Sequence, residues 1–340
     1  MYILDLDELA ANEVVKKNNR QLNSYIGKLE EERLFLLKEL NLKNKIENTK
    51  KESPSWASFK SSSFKNKAIA CSILSDTHFD EVVKLEETNG VNEYNRKIAT
   101  KRLKEYFKQL VLFPHETLNF NYDGLMLCLG GDIVSGNIHE ELAQTNESFI
   151  MDTCIYWSNQ ISKGIELLSE EYKKIHIVCC PGNHGRTSKL YRYKGRAQDN
   201  FDWLIYSIIA RDFKHNKNIT FQIPEVFETV FNVYNTKYLL THGDSINTSS
   251  SGSGLYVPVQ NGLNKKFKLH NSFGNPFDFS VLGHFHQYMT TKRFLINGAL
   301  KGMDEYAFIH SYEFENPSQA FWVTLPQTLL PICHCPFVLL

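Results

Sequence analysis

Five short segments of the chain carry side chains of the kind that bind divalent metal ions. They are, in order, Asp76-Thr77-His78, Gly131-Asp132, Gly182-Asn183-His184, His242-Gly243-Asp244 and Gly283-His284-Phe285-His286. Carboxylate, imidazole and amide oxygen together suit ions such as Mn²⁺, Fe²⁺ or Zn²⁺. The segments contain no cysteine, which argues against a closed structural zinc site. Together they supply enough ligands for two ions.

A pair of metal ions a few ångströms apart is suited to the hydrolysis of phosphate esters. Such a pair binds the non-bridging oxygens of a phosphate together with a bridging hydroxide, which is a nucleophile at neutral pH. An aspartate that bridges both ions is the group that this kind of centre needs. The ligand set therefore favours metal-dependent hydrolysis of a phosphoester.

Apolar runs lead into the ligand segments and predict the strands that position them. We predict strands over Ala68–Leu74, Leu125–Leu129, Ile175–Cys180, Tyr238–Thr241 and Phe279–Leu282. Between them we predict helices over Asn92–Leu112, over Glu140–Ser169 as one or two helices, and over Asn200–Asp212. Strands that alternate with helices predict an α/β fold, a layered mixed β-sheet sandwich flanked by helices, with the strand-rich part beginning at Thr220. Ligands at the carboxyl ends of the strands then meet at one edge.

The chain changes character near residue 52. Residues 1–51 are rich in Glu, Lys, Leu and Asn and predict an N-terminal helical arm, with a coiled coil as one form of it. A helix packed on the main domain is an open alternative, because the apolar positions keep no strict heptad. Residues 52–66, rich in serine, predict a linker, and residues 67–340 the catalytic domain.

Composition limits the remaining classes of protein. The 340 residues are 42% hydrophobic, enough for a large core, and Lys+Arg equals Asp+Glu at 38 each. A net charge of zero gives no global field that attracts nucleic acid or an anionic membrane. The seven cysteines are odd in number and without pattern, and three lie in apolar strands, so we expect buried free thiols. No apolar run reaches membrane-spanning length, and the N-terminus has no signal-peptide pattern, so we expect a cytoplasmic protein without a membrane partner.

The ordered motifs Asp-x-His, Gly-Asp, Gly-Asn-His, His-Gly-Asp and Gly-His-x-His resemble those of the calcineurin-like metallophosphoesterase superfamily. The resemblance covers roughly residues 68–325. It is closest to the DNA-repair-exonuclease branch and to bacteriophage-encoded members, for which the location would be the host cytoplasm. It implies two divalent ions, with Mn²⁺ expected and Fe²⁺, Zn²⁺ or Mg²⁺ as alternatives.

The resemblance assigns a role to each ligand residue. By motif, the first ion is held by Asp76, His78 and His286, the second by Asn183, His242 and His284, and Asp132 bridges them. His184 matches the histidine that contacts the scissile phosphate and helps to protonate the leaving oxygen. Asp244 is expected to orient a ligand imidazole by accepting its other N–H.

One position departs from the family pattern. Many members carry an acidic residue directly after Gly-Asn-His, whereas this chain has Gly185 and then Arg186. The missing carboxylate leaves open how His184 is oriented. Arg186 either grips a phosphate oxygen or is an ordinary surface arginine.

Further residues near the motifs are candidates for substrate contacts. Asn137 and His139 follow the Asp132 motif and are expected beside the site, in a supporting or substrate-binding role. A basic and aromatic cluster follows His184 and would suit contacts to a nucleic acid strand, with a solvated loop as the alternative. Its members are Tyr191, Arg192, Tyr193, Lys194 and Arg196. The serine- and glycine-rich stretch Ser249–Gly254 is either a lid or a plain connection.

Three functions are compatible with the sequence. The first is a phosphodiesterase that acts on DNA, an exonuclease or endonuclease, in which the arm forms a homodimer. The second is a phosphomonoesterase or a phosphodiesterase for small nucleotides. The third is a scaffold that has kept the fold without catalysis, which a complete ligand set makes the weakest of the three.

Overall fold

The strands that lead into the predicted ligand segments lie next to one another, in parallel, in the middle of two β-sheets. The structure is a computed structural model that describes residues 19, 22–24, 26–34, 67–248 and 254–340. Contacts divide the chain into two units, Met1–Thr49 and Lys50–Leu340. The described residues of the first unit are helical. The predicted linker over 52–66 lies outside the described residues, and the coiled coil stays a prediction.

The second unit contains both sheets. Its strands are β1 Lys67–Leu74, β2 Asn121–Leu129, β3 Ile175–Cys179, β4 Ile219–Gln222, β5 Glu228–Val233, β6 Thr236–Thr241, β7 Phe279–Leu282, β8 Met289–Thr290, β9 Phe294–Ile296, β10 Ser318–Thr324 and β11 Ile332–Val338. The first sheet has the order β11-β10-β1-β2-β3-β4, and the second has the order β5-β6-β7-β9-β8. Strands β1 to β4 are mutually parallel, as are β6, β7 and β9. Both sheets are mixed, because antiparallel strands flank these centres.

Helices cover the outer faces of the sheets. They are α1 Arg96–Leu112, which continues into a π-helical turn over Phe113–Leu118, α2 Glu140–Thr145, α3 Ile150–Glu171, α4 Phe201–Asp212, α5 Tyr256–Ser272 and α6 Glu305–Ile309. Alternate residues of β1 have their side chains on opposite faces of the first sheet. Ala68, Ala70 and Leu74 pack with α1, α3 and α4, whereas Ile69, Cys71 and Ile73 pack between the sheets. Val259 and Leu263 of α5 cover the second sheet.

This arrangement confirms the predicted layered sandwich of mixed sheets with flanking helices. Two helices begin later than predicted, because Asn95 and Asn200 are N-caps whose side chains accept the amides of Ile98 and Asp202. Helix α5 was not predicted at all. In the parts of the chain that the structure describes, no helix combines the length and the apolar character needed to cross a membrane.

Candidate metal centre

The predicted ligands follow the carboxyl ends of five strands, in loops with an unusual backbone. Five of them have φ in the left-handed region: Asp76 at 52°, His78 at 44°, Asp132 at 50°, His284 at 71° and His286 at 56°. Residues other than glycine adopt this region rarely and at a cost. Such strain persists where the surrounding structure holds it, and it gathers at functional sites. The loop backbones are thus fixed in the conformation that turns these side chains toward one another.

The first group of ligands consists of Asp76, His78 and His286. Their ligand atoms all lie within 4.8 Å of one another. The Nε2 atoms of the two histidines are 3.2 Å apart, and Nε2 of His286 is 3.5 Å from Oδ1 of Asp76. Asp76 is fully buried and accepts the backbone amide of His284 at 2.7 Å. This contact joins the loop after β1 to the loop after β7.

The second group consists of Asp132, His242 and His284, again within 4.8 Å of one another. Oδ2 of Asp132 lies 2.9 Å from Nε2 of His242 and 3.9 Å from Nε2 of His78. This one oxygen therefore stands between a histidine of each group, which is the position expected of a bridging carboxylate.

Asn183 supplies a further donor. Its side-chain oxygen Oδ1 is buried and accepts no hydrogen bond from the described residues. A buried amide oxygen without a partner costs free energy unless another group satisfies it. A metal ion does so, and the donor set of oxygen and imidazole atoms is the one that divalent ions prefer. The residues present thus fit two metal ions.

The protonation states of His78 and His284 favour metal binding. Burial, with the charges of Lys301 and His184, lowers the pKa of His78 to about 3. Burial likewise lowers the pKa of His284 to about 4. Both imidazoles are neutral near pH 7, the form in which histidine ligates a metal. Burial would also lower the pKa of His242, but the charge of Asp132 and its hydrogen bond outweigh burial and raise this pKa to about 10. Near pH 7 His242 is therefore protonated, and a metal ion bound at its Nε2 takes the place of a proton.

Hydrogen bonds to backbone carbonyl groups determine which ring nitrogen of His242 and of His184 faces the metal centre. Nδ1 of His242 lies 2.9 Å from the carbonyl oxygen of Gly130, and Nδ1 of His184 lies 2.9 Å from that of Ser135. A carbonyl only accepts, so each Nδ1 carries the proton. Nε2 is then left to ligate in His242, and to face a substrate in His184. The backbone amide of His184 also donates to Oδ1 of Asp132 at 2.7 Å.

A buried ion-pair network supports His78 and was not predicted. Nδ1 of His78 lies 3.1 Å from Oε2 of Glu81. Oε1 of Glu81 accepts from Nζ of Lys301 at 2.8 Å, and Lys301 also donates to Asp304 at 2.5 Å. The side chains of Glu81 and Lys301 are 5% and 3% exposed, so both charges are compensated inside the protein. A carboxylate on the far nitrogen of a ligand imidazole fixes its orientation and raises its basicity.

Asp202, in the first turn of α4, joins two ligand loops. Its Oδ2 accepts the backbone amides of Asp132 at 3.0 Å and of Gly182 at 2.9 Å, and its Oδ1 accepts the amide of Ile133 at 3.1 Å. Burial, followed by the charge of Asp132, raises the pKa of Asp202 to about 7. The loops also touch directly, since a Cβ on Gly131, whose φ is 89°, would lie 2.4 Å from the amide nitrogen of Gly182.

The same contacts account for the glycine that follows His184. A Cβ at Gly185 would lie 2.3 Å from Oδ1 of Asn200 and 2.8 Å from Cγ of Asp202. No side chain fits there, and a carboxylate from α4 already occupies the adjacent space. His184 is instead oriented by Ser135 and Asp132, as described above.

Two predicted roles differ from the contacts found. Asp244 was expected to orient a ligand imidazole, but its carboxylate pairs with the guanidinium of Arg196, and Gly130 holds His242. Arg186 was a candidate for gripping phosphate. Its guanidinium donates to the backbone carbonyls of Asn183, Ser188 and Lys189, so it braces its own loop.

The other candidates lie at the edge of the site. The ring of His139 is 5.6 Å from that of His184, centre to centre, and burial followed by the charge of His184 lowers the pKa of His139. Asn137 is exposed on the same loop. The structure thus brings His139 beside the predicted catalytic histidine. Most of the predicted lid, residues 249–253, lies outside the described residues.

Replacing Asn183 by alanine tests whether its side-chain oxygen Oδ1, which accepts no hydrogen bond from the described residues, binds metal. We expect Asn183→Ala to lose about tenfold or more in affinity for one of two Mn²⁺ ions, because one donor is removed. Asn183→Asp keeps an oxygen in place and should retain two ions per chain. Isothermal titration with Mn²⁺, together with elemental analysis of bound metal, measures both. An alanine variant that binds two ions as tightly as the unchanged chain would contradict this assignment.

Two sheets whose parallel strands deliver Asp, Asn and His ligands to one edge define the class of metal-dependent phosphoester hydrolases. Residues 72–288 match the sequence profile of the calcineurin-like phosphoesterases. The chain belongs to this family, which binds two divalent metals, and it is a metal-dependent hydrolase.

The chain also matches solved structures at low sequence identity and low TM-score. A predicted phosphoesterase from Streptococcus pneumoniae TIGR4 is 10% identical, with 79% of this chain and 97% of that chain covered and a TM-score of 0.31. A dimetal phosphatase from Danio rerio is 8% identical, with 80% and 99% covered and a TM-score of 0.37. A single mutant of Vps29 from Entamoeba histolytica is 12% identical, with 79% and 99% covered and a TM-score of 0.27. Comparison with curated proteins gives no significant match.

Proposed function

We propose that this chain is a two-metal-dependent phosphodiesterase that cleaves DNA, with Mn²⁺ as its ion. The observation that carries the proposal is the shared position of Asp132 between two ligand groups, with His184 on the same side. The ligand atoms of His78, Asp132 and His184 lie within 4.8 Å of one another. A phosphate bound at the centre therefore meets His184 without rearrangement of the loops.

The chemistry divides between the ions and the protein. When bound, two divalent ions supply Lewis acidity toward the phosphate and lower the pKa of water. In the reaction a water oxygen forms a bond to phosphorus and releases a proton to solvent, from which His184 regains its proton after each turnover, and the phosphorus–oxygen bond to the leaving group breaks. The leaving oxygen then takes a proton from Nε2 of a protonated His184, whose ring is held in place through Nδ1 by Ser135.

Charges beside Asn183 support nucleic acid as the substrate. The chain has no net charge, but the surface next to this ligand carries Arg192 and Lys194. A local group of cations is the usual electrostatic footprint of a protein that binds a phosphate backbone.

A substrate panel with Mn²⁺ tests the proposal. We expect cleavage of bis-p-nitrophenyl phosphate and of linear DNA, and loss of both activities after removal of metal with a chelator. His184→Ala should keep its metals and lose about 100-fold or more in kcat. His215→Ala, an exposed histidine in the loop after α4, is the matched control and should not change the rate.

Other results select other functions. If DNA stays intact while p-nitrophenyl phosphate is hydrolysed rapidly, the protein is a phosphomonoesterase and the nuclease proposal is wrong. If the metal-loaded protein hydrolyses none of these substrates, the result favours a scaffold without catalytic activity.

A further inference from the structure

The ligand residue Asn183 also lines a surface pocket. Gly182 and Asp199 line this pocket too, and the rest of the lining comes from the loop after His184, including Arg186, Tyr191, Arg192, Lys194 and Arg196. Because Asn183 belongs to both the ligand set and the pocket, a substrate with a phosphate at the metals has its neighbouring group at this opening.

The cations of this pocket fall into two kinds. Arg186 and Arg196 are structural, since the first braces backbone carbonyls and the second pairs with Asp244 while its side chain is only 11% exposed. Arg192 and Lys194 are available to a ligand. Arg192 is 68% exposed and has one long contact, 3.9 Å, to Asp199. Lys194 is exposed and pairs with no carboxylate among the described residues.

Aromatic rings stand beside these two cations. The guanidinium of Arg196 lies 4.8 Å from the ring centre of Tyr191, which fixes that ring against the pocket wall. Tyr193 meets Tyr191 edge to face at 5.2 Å and is itself 88% exposed. An exposed ring next to cations is a platform on which an unpaired base stacks. Bases inside a duplex are already stacked and paired, so they offer no free face.

We propose that this pocket is a subsite for one unpaired nucleotide of the substrate, next to the scissile phosphate. Its base stacks on the exposed ring of Tyr193, which borders the pocket at Tyr191, and its backbone phosphate contacts Arg192 and Lys194. The inference rests on the proposed function and narrows it: the strand that enters the site is single-stranded there, as in single-stranded DNA or a frayed end.

Binding of a fluorescently labelled single-stranded oligonucleotide of about ten nucleotides tests the subsite directly. The metal-loaded full chain carrying His184→Ala, which keeps its metals and cleaves slowly, is titrated by anisotropy over a series of salt concentrations. We expect Arg192→Ala/Lys194→Ala to bind about tenfold more weakly and to reduce the slope of log affinity against log salt by about 0.7, the value expected for the loss of one phosphate contact on a single strand. Tyr193→Ala should lose about tenfold, and Tyr193→Phe should bind as the unchanged chain does.

Controls separate the subsite from the catalytic centre. Lys214→Ala/Lys217→Ala removes two exposed lysines from the loop after α4 and should leave both affinity and slope unchanged. The pocket variants should lose more of their rate on the oligonucleotide than on bis-p-nitrophenyl phosphate, because that small substrate lacks a neighbouring nucleotide.

The possible failures are distinct. If DNA is cleaved but the pocket variants bind the oligonucleotide normally, the subsite is wrong and the proposed function stands. If binding depends on the pocket but no diester is cleaved, the proposed function is wrong, and the pocket remains a binding site for an unpaired nucleotide without a catalytic role. A duplex of the same sequence that binds as tightly as the single strand, or an unchanged chain that binds neither, would overturn the subsite.

Discussion

Substitution of Asp202 by alanine is expected to lower the free energy of unfolding by about 3 kcal/mol or more and to abolish tight metal binding. The carboxylate accepts three buried backbone amides, those of Asp132, Ile133 and Gly182. Each buried donor left without an acceptor costs about 1–3 kcal/mol. The lost contacts also release the loops that carry Asp132 and Asn183, so the two ligands no longer hold their mutual distance.

Asp202→Asn separates shape from charge at this position. An asparagine has the same size and keeps one oxygen for the amides of Asp132 and Gly182, but it presents N–H groups to Ile133. It also removes a charge that burial and Asp132 disfavour, as the raised pKa indicates. We therefore expect Asp202→Asn to lose less stability than Asp202→Ala.

Urea unfolding with and without Mn²⁺ and titration of metal binding are the measurements for both variants. Asp212→Ala is the control, since it removes an exposed acidic side chain from the other end of α4. An alanine variant at position 202 that is as stable as the unchanged chain and binds two ions normally would show that the loops of Asp132 and Asn183 keep their conformation without this carboxylate.

The order and local setting of the ligand segments were predictable from sequence, because the relevant signals are local. An apolar run that ends in polar or glycine-rich sequence predicts a strand and the loop after it. For Phe279–Leu282 before His284 the strand has the predicted bounds, and for Ile175–Cys180 before Asn183 it ends one residue earlier. Parallel strands then bring the loops together without any detail of side-chain packing.

The support behind the ligands was not predictable, because it depends on which distant segments meet. Glu81 and Lys301 are 220 positions apart, and no pattern in either segment indicates the other. Asp202 is 70 positions from Asp132, and its place in the first turn of a helix is a common one for an aspartate. Gly185 is informative only once Asn200 and Asp202 are seen against it.

Helix α5 was missed for a different reason. The segment Tyr256–Ser272 carries polar residues along most of its length, and few of its side chains are buried. Packing of Val259 and Leu263 on the second sheet stabilises it. Tertiary contacts of this kind outweigh a weak local pattern.

Replacement of Lys301 by methionine is expected to destabilise the fold by about 3–5 kcal/mol, because it removes one partner of a buried ion pair. Methionine preserves the length of the side chain but leaves Glu81 and Asp304 facing each other without the cation that both contact. Lys84→Met, at an exposed lysine whose side chain is 64% accessible, is the matched control and should have little effect.

The double variant Glu81→Gln/Lys301→Met distinguishes stability from positioning. It removes the lysine together with one of its two carboxylates, so part of the lost stability should return, while Asp304 stays without its cation. Metal affinity at the ion that His78 binds should stay about 10- to 100-fold weaker, because the imidazole has lost the carboxylate on Nδ1 that fixes its orientation and basicity. Metal titration and chemical unfolding of the same samples compare the two quantities. If the double variant recovers both stability and metal affinity, Glu81 and Lys301 serve the fold alone. If it recovers stability only, the network positions the ligand.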